Sequence, residues 1–262
     1  MADPTILALD FDGVLCDGLI EYFQTAWRVY VQIWSPVDRT PPAGLAEQFY
    51  RMRPVVETGW EMPLVIRALL LGISEAEILL RWSEIATQQL AADREVLPIG
   101  DRLSAASLGA AIDSVRDEWI QSDLDDWLAQ HRFYPGVIDR LRQICDSPVC
   151  PVIITTKEGR FVRQLLQQQD IDLSADRILG KEIKQPKAVS LRQLQQDNAR
   201  IWFVEDRLKT LETALAQPEL TGVRLFLADW GYNTPAERAK ASEQEGIRLI
   251  SIAQFSQDFS KW

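Results

Sequence analysis

The segment TILALDFDGVLCDG, residues 5–18, decides how the rest of the chain is read. Ile6, Leu7, Ala8 and Leu9 form an apolar run, and Asp10 and Asp12 follow one residue apart, with Gly13 behind them. A short run of this kind has the character of a buried parallel strand, apolar on both faces. In an open parallel sheet, ligands bind beyond the carboxyl ends of the strands. A strand that ends in two carboxylates therefore carries charge to the place where a ligand is met.

The remaining strands are found by the same character. Pro151–Thr156, Ile201–Val204, Val223–Ala228 and Ile247–Ile250 join the first run, Ile6–Phe11, and Arg177–Leu179 is a weaker candidate. Helical patterns such as Arg160–Gln168, Ala188–Gln195 and Leu208–Leu215 lie between them. This alternation predicts an α/β fold, a Rossmann-like parallel sheet with right-handed crossovers. Residues 18–129 differ, being helical in pattern almost throughout, with breaks at SPVDRTPPAG (35–44) and VLPIGD (96–101). HRFYPGVIDRL (131–141), with its Pro-Gly turn, marks the return to the sheet. The expected organisation is a core domain of residues 1–17 and 130–262, with an all-helical domain of residues 18–129 inserted after the first strand. Six of the nine tryptophans fall in the insert, where they are expected to pack its core.

Composition narrows the chemistry. The chain has 262 residues, 28 Lys plus Arg against 38 Asp plus Glu, and a formal charge of −10. Such a surface repels nucleic acid and anionic membranes, so neither is expected as a partner. His131 is the only histidine, which excludes a His-rich metal cage and leaves acid–base work to carboxylates and lysines. Cys16, Cys145 and Cys150 lack zinc-site spacing, and a reducing, cytoplasmic setting is expected. No apolar run approaches the ~18 residues of a membrane span, and the N-terminus lacks the pattern of a signal peptide.

The strand ends can now be collected. The first delivers Asp10 and Asp12, the second Thr155, Thr156 and Lys157, and ARIWFVED delivers Glu205 and Asp206. GKEIKQPKAVSL (180–191) adds Lys181, Lys184 and Lys187. Two like charges ~4 Å apart repel by about 4 kcal/mol at an effective dielectric near 20, so four carboxylates at one rim call for a counter-charge. Oxygen-only ligands in a wet cleft suit Mg²⁺, with Asp10, Asp12, Glu205 and Asp206 as the candidate set.

In this order, DFDGVLCD (10–17), VIITTK (152–157), a lysine before a helix and FVED (203–206) resemble the four motifs of the haloacid dehalogenase-like superfamily of phosphohydrolases. The branch resembled is the phosphoglycolate phosphatase and β-phosphoglucomutase-like one, with a helical cap after strand one. The resemblance implies Asp10 as nucleophile, Asp12 as acid–base, Thr155 as the hydroxyl that holds the phosphoryl group, and metal binding by the FVED acids. Thr156 and Lys157 are the accompanying phosphate contacts. The third-motif lysine chosen is Lys187, because it begins the next helix, with Lys184 as its rival. The activity implied is a Mg²⁺-dependent phosphatase acting on a small phosphorylated metabolite through an aspartyl-phosphate. A sugar phosphomutase and a non-catalytic binding protein on the same fold are the alternatives.

The motifs cover residues 1–17 and 130–262, and the insert matches by position and helical character alone. Departures from the family pattern are Val14 for a frequent Thr, Thr210 for a frequent acid, and a Lys-Gln-Pro-Lys sequence in place of Lys-Pro. A dehalogenase would need neither Asp12 nor FVED, and a phosphonatase would need a lysine in the insert, where residues 18–130 have none. Within the insert, RMRPVVETGWEMP (51–63) is the most site-like segment, and Arg53 and Trp60 are the candidate contacts to the leaving group.

Overall fold

The computed structural model describes residues 2–92, 103–195 and 199–262; the sequence break at 96–101 lies outside them. The chain divides into two compact units, one of residues 1–17 and 132–262 and the other of residues 18–131.

The first unit opens with β1 (Ile6–Leu9) and β2 (Cys16–Asp17). The second unit supplies α1 (Leu19–Trp34), α2 (Leu45–Met52), α3 (Met62–Leu70), α4 (Glu75–Ala92), α5 (Ala105–Ser122) and α6 (Leu124–Ala129). The first resumes with β3 (Arg132–Phe133), α7 (Val137–Cys145), β4 (Cys150–Ile154), α8 (Gly159–Gln167), β5 (Ile178–Leu179) and α9 (Lys187–Leu194). It closes with β6 (Ile201–Glu205), α10 (Leu208–Leu215), β7 (Arg224–Ala228), α11 (Pro235–Glu243), β8 (Ile247–Ile250) and α12 (Ile252–Phe255).

Six strands form one parallel sheet in the order β5-β4-β1-β6-β7-β8, so the strand that carries Asp10 lies inside the sheet. This is the α/β architecture expected from the alternation of elements. Leu9 stands opposite Ile153 on β4 and Val204 on β6, and this register brings Asp10 level with Glu205. One face of the sheet packs Val152, Ile154, Phe203, Leu225 and Leu227 against helix residues such as Leu191, Leu208 and Leu211. The other carries an aromatic cluster in which Trp262 meets Trp202, Phe226 and Phe255 at 5.1–5.8 Å between ring centroids. Both faces are covered, which is why the strands read as continuous apolar runs.

The first strand matches its apolar run, Ile6–Leu9, and stops short of the Ile6–Phe11 expected from the sequence. Asp10 N makes a last sheet bond to Val204 O, and the amides of Leu15 and Cys16 then both turn back to Phe11 O. Phe11 thus begins a tight turn instead of extending the strand. The antiparallel ribbon of β2 and β3 pairs Cys16 with Phe133 and Asp17 with Arg132. Two residues per strand are too few for a periodicity to reveal.

In the helical unit, Trp27, Trp82, Trp119 and Trp127 are buried, while Trp34 and Trp60 are half-buried. Glu21 is fully buried on α1, where it accepts from Arg116 Nε at 2.8 Å and Thr25 Oγ1 at 2.7 Å. Such a pair stands only because its partners satisfy it. Helix α4 is broken at Arg81, whose backbone leaves helical geometry. Among the described residues no helix is long and apolar enough to cross a membrane.

Candidate active site

The turn after β1 is held from two sides. Gly13 has φ +89°, and a Cβ there would strike the Asp206 carboxylate, so glycine is required by backbone and by space together. Trp230, beyond β7, donates its indole N–H to Val14 O at 3.1 Å.

Level with this turn, Asp10, Glu205 and Asp206 are all buried and offer carboxylate oxygens within 4.8 Å of one another. Lys187 Nζ sits between two of them, 2.7 Å from Asp10 Oδ1 and 2.7 Å from Glu205 Oε2. Asp10 Oδ1 also accepts from Phe11 N at 2.8 Å, leaving Oδ2 as the oxygen without a hydrogen bond. Burial, and then the charge of Glu205, push the Asp10 carboxyl up to about 7, with Lys187 pulling the other way. Burial also raises Glu205. Burial works against the Lys187 charge, but Asp10 and Glu205 together outweigh it and hold the lysine above its ordinary range. Three buried carboxylates against one ammonium leave excess negative charge, and the donors are all oxygen. That set fits a hard divalent cation.

Asp12 stands apart from this cluster. Its Oδ1 lies 3.4 Å from Lys157 Nζ, and both side chains are nearly buried. Thr155 is buried and accepts from Lys157 N through Oγ1 at 3.1 Å, whereas Thr156 is exposed. Lys184 is exposed with a left-handed backbone, φ +53°, and Lys181 is exposed as well. Of the three loop lysines, Lys187 alone makes ion pairs with Asp10 and Glu205, because it begins α9 and the helix aims it at the strand ends.

A segment that the sequence reading passed over completes the site. After β7, residues 229–234 wrap Asp206: Tyr232 N donates to its Oδ2 at 2.8 Å, and Asn233 Nδ2 to its carbonyl at 2.9 Å. Arg207 Nη1 donates to Tyr232 O at 3.0 Å, and Tyr232 OH to Asp17 Oδ1 at 2.9 Å. Gly231 is excluded from bearing a Cβ by Asp206 and by Gly13 O. Burial first, then Asp17 and Asp206, raise the neighbouring Tyr134 phenol well above its usual range. The available signal was positional: a strand end followed by Gly, Tyr and Asn before a Thr-Pro helix start.

The helical-unit candidates lie in two separate short helical turns, Arg53 in Arg53–Val55 and Trp60 in Gly59–Glu61. Arg53 Nη1 donates to Val56 O at 2.8 Å, and its guanidinium lies 5.1 Å over the Tyr22 ring. Trp60 is half-buried, and its neighbour Glu61 is buried, taking the N–H groups of Glu57, Thr58 and Trp82. Arg51 pairs with Glu75 at 2.6 Å.

No family model and no curated protein matches the sequence. Solved structures do match. A predicted phosphatase from Clostridium acetobutylicum has a TM-score of 0.59 at 14% identity, covering 97% of each chain. A predicted phosphoglycolate phosphatase from Haemophilus somnus has 0.57 at 15% identity, covering 95% of each. A haloacid dehalogenase-like family hydrolase from Streptococcus pneumoniae has 0.55 at 18%, covering 94% of this chain and 93% of that one. At such identities the likeness concerns the path of the backbone, and on that ground the chain has the fold of the haloacid dehalogenase-like hydrolases.

Proposed function

We propose that the protein is a Mg²⁺-dependent phosphatase that hydrolyses a small phosphorylated metabolite through a phosphorylated Asp10. The observation that carries this reading is the placement of Lys187 between Asp10 and Glu205, with Asp206 in reach and Asp10 Oδ2 open.

Asp10 Oδ2 attacks phosphorus, and the bond from phosphorus to the ester oxygen breaks with its electron pair going to that oxygen. Asp12 serves as the acid that gives a proton to the leaving oxygen. Water then attacks the phosphorylated Asp10, Asp12 takes a proton from it, and the Asp10–phosphorus bond breaks to release phosphate. Lys157, 3.4 Å from Asp12, holds that carboxylate in place and offers a positive charge to a phosphoryl oxygen. Thr155 Oγ1 already accepts from Lys157 N, so its own proton is left to donate to the phosphoryl group. Lys187 has a third N–H for the same purpose. Asp10, Glu205 and Asp206 would hold Mg²⁺, which when bound offsets the negative charge between nucleophile and phosphate.

The helical unit is proposed to supply leaving-group contacts from Arg53 and Trp60. Arg53→Ala and Trp60→Ala should raise KM for the true substrate several-fold while leaving p-nitrophenyl phosphate hydrolysis nearly unchanged. Equal loss on both substrates, or none on either, removes those two residues from the proposal.

The main reading is tested by phosphate release from a panel of small phosphate esters with Mg²⁺. Asp10→Asn and EDTA should each abolish it, with added Mg²⁺ reversing the chelator. Isomerised product without free phosphate would transfer the reading to a phosphomutase. Turnover by Asp10→Asn would overturn it.

A further inference from the structure

The arginines of the helical unit differ in their partners, and Arg53 and Arg67 lie over the rings of Tyr22 and Trp34. Arg51, Arg81 and Arg116 each lie against a carboxylate, as befits a chain with net charge −10. Arg28 and Arg39 have no acidic partner among the described residues, although the surface offers acids in excess. Both are exposed, and both line the same groove, an open cavity of about 550 Å³ formed wholly within this unit. That volume lies in the range of ~300–1,000 Å³ usual for small-molecule sites.

The groove joins an apolar wall to a cationic rim. Trp27, Val31, Val115 and Trp119 supply the apolar part. The Arg28 guanidinium lies 3.8 Å from the Trp119 ring centroid. Stacking of this kind occupies the flat face of a guanidinium and leaves its in-plane N–H groups for an anion. Arg39 is placed by its own backbone, because Trp27 Nε1 donates to Arg39 O at 2.9 Å and ties the segment after α1 to the wall of the groove. Glu118, the one acid among the described residues of the rim, accepts from Ser114 Oγ at 3.2 Å. An apolar wall beside a planar guanidinium, with two arginines that pair with no carboxylate among the described residues, is the complement of a flat, apolar body bearing one anionic head.

We propose that this groove binds a small anion with a flat apolar body, an aromatic carboxylate, sulfonate or phosphate, at a site distinct in its residues from the aspartate cluster of the other unit. Arg28 and Arg39 take the anionic group, and the apolar wall of the groove at Val31 takes the ring, beside the Arg28 guanidinium stacked on Trp119.

The test uses the full chain with Mg²⁺ and 8-anilinonaphthalene-1-sulfonate as the probe, followed by its fluorescence. One saturable site is expected, unaffected by Asp10→Asn and by millimolar inorganic phosphate. The double variant Arg28→Gln/Arg39→Gln should bind at least ~10-fold more weakly, as expected for loss of a charge-assisted pair. The neutral analogue N-phenyl-1-naphthylamine should bind the wild type at least ~10-fold more weakly than the sulfonate. Each protein must show the wild-type cooperative melt, and Arg39→Glu alone, on an exposed segment, repeats the test if the double variant does not fold. Absence of saturable binding, equal affinity in the variants, equal affinity for the neutral analogue, or loss of binding in Asp10→Asn would each overturn the proposal.

Discussion

The indole N–H of Trp230 donates to the carbonyl oxygen of Val14 at 3.1 Å, tying the loop after β7 to the turn that carries Asp12. The two residues are 216 positions apart, yet this bond and the Tyr232 N–H on Asp206 bring a loop without any catalytic side chain into contact with both acid-bearing strand ends. Replacing Trp230 by Phe keeps the ring and removes the donor. A net loss of about 1 kcal/mol in stability is expected, typical of one hydrogen bond. Urea unfolding measures that loss. A several-fold lower kcat with unchanged KM would show that the turn's position serves the chemistry, and an unchanged kcat would confine Trp230 to scaffolding.

Lys187 and Lys184 separate cleanly. Lys187→Met leaves Asp10 and Glu205 buried without a counter-charge, a change of the kind that costs about 3–5 kcal/mol. Metal-free Lys187→Met should melt far below wild type, recover in part when Mg²⁺ is added, and lose on the order of 10²-fold or more in rate. Lys184→Met alters an exposed side chain and should match wild type in both measurements.

The raised Asp10 carboxyl gives a pH dependence with a definite sign. Its folded-state value of about 7 lies above the ordinary 3.8, so between these values the folded protein holds a proton that the unfolded chain has released. Raising the pH across that window therefore costs stability, fully so above about 7. In Asp10→Asn this cost is absent. The melting temperature of metal-free Asp10→Asn minus that of metal-free wild type should grow from about pH 5 to about pH 8. Adding Mg²⁺ should narrow the gap at the higher pH by stabilising the ionised wild type. A gap that is constant with pH would refute the assignment.

Gly13 and Gly44 have nearly the same backbone, φ +89° and +82°, but different surroundings. A Cβ on Gly44 meets nothing within 4 Å, so Gly44→Ala should cost only the strain of a left-handed alanine, about 1 kcal/mol. The same change at Gly13 drives a methyl group into Asp206. Gly13→Ala should lose on the order of 10²-fold in rate or fail to fold, while Gly44→Ala retains wild-type rate. Parallel behaviour of the two would mean that Asp206 yields without consequence.

The strand sequence, the helical insert and the positions of Asp10, Thr155, Glu205 and Asp206 were legible along the chain. Each depends on a short-range pattern: an apolar run buried on both faces, ended by a polar residue at the site-bearing edge of the sheet. Lys187 was favoured over Lys184 only by its place at the start of a helix; both lie beside that helix, and the tertiary structure decides which ammonium reaches Glu205. The pairing of Lys157 with Asp12 joins two strand ends, and no local signal marks it.

The sequence by itself determined the fold class, since burial on both faces of a parallel sheet dictates residue type strand by strand. Tertiary structure alone decided how the loop at 229–234 serves the site. That loop acts through the backbone N–H of Tyr232, an amide of Asn233 and one indole N–H, groups whose partners are 26, 27 and 216 residues away. Backbone donors carry no sequence signature, and a hydrogen bond over such separations exists only once the strands between have taken their order in the sheet.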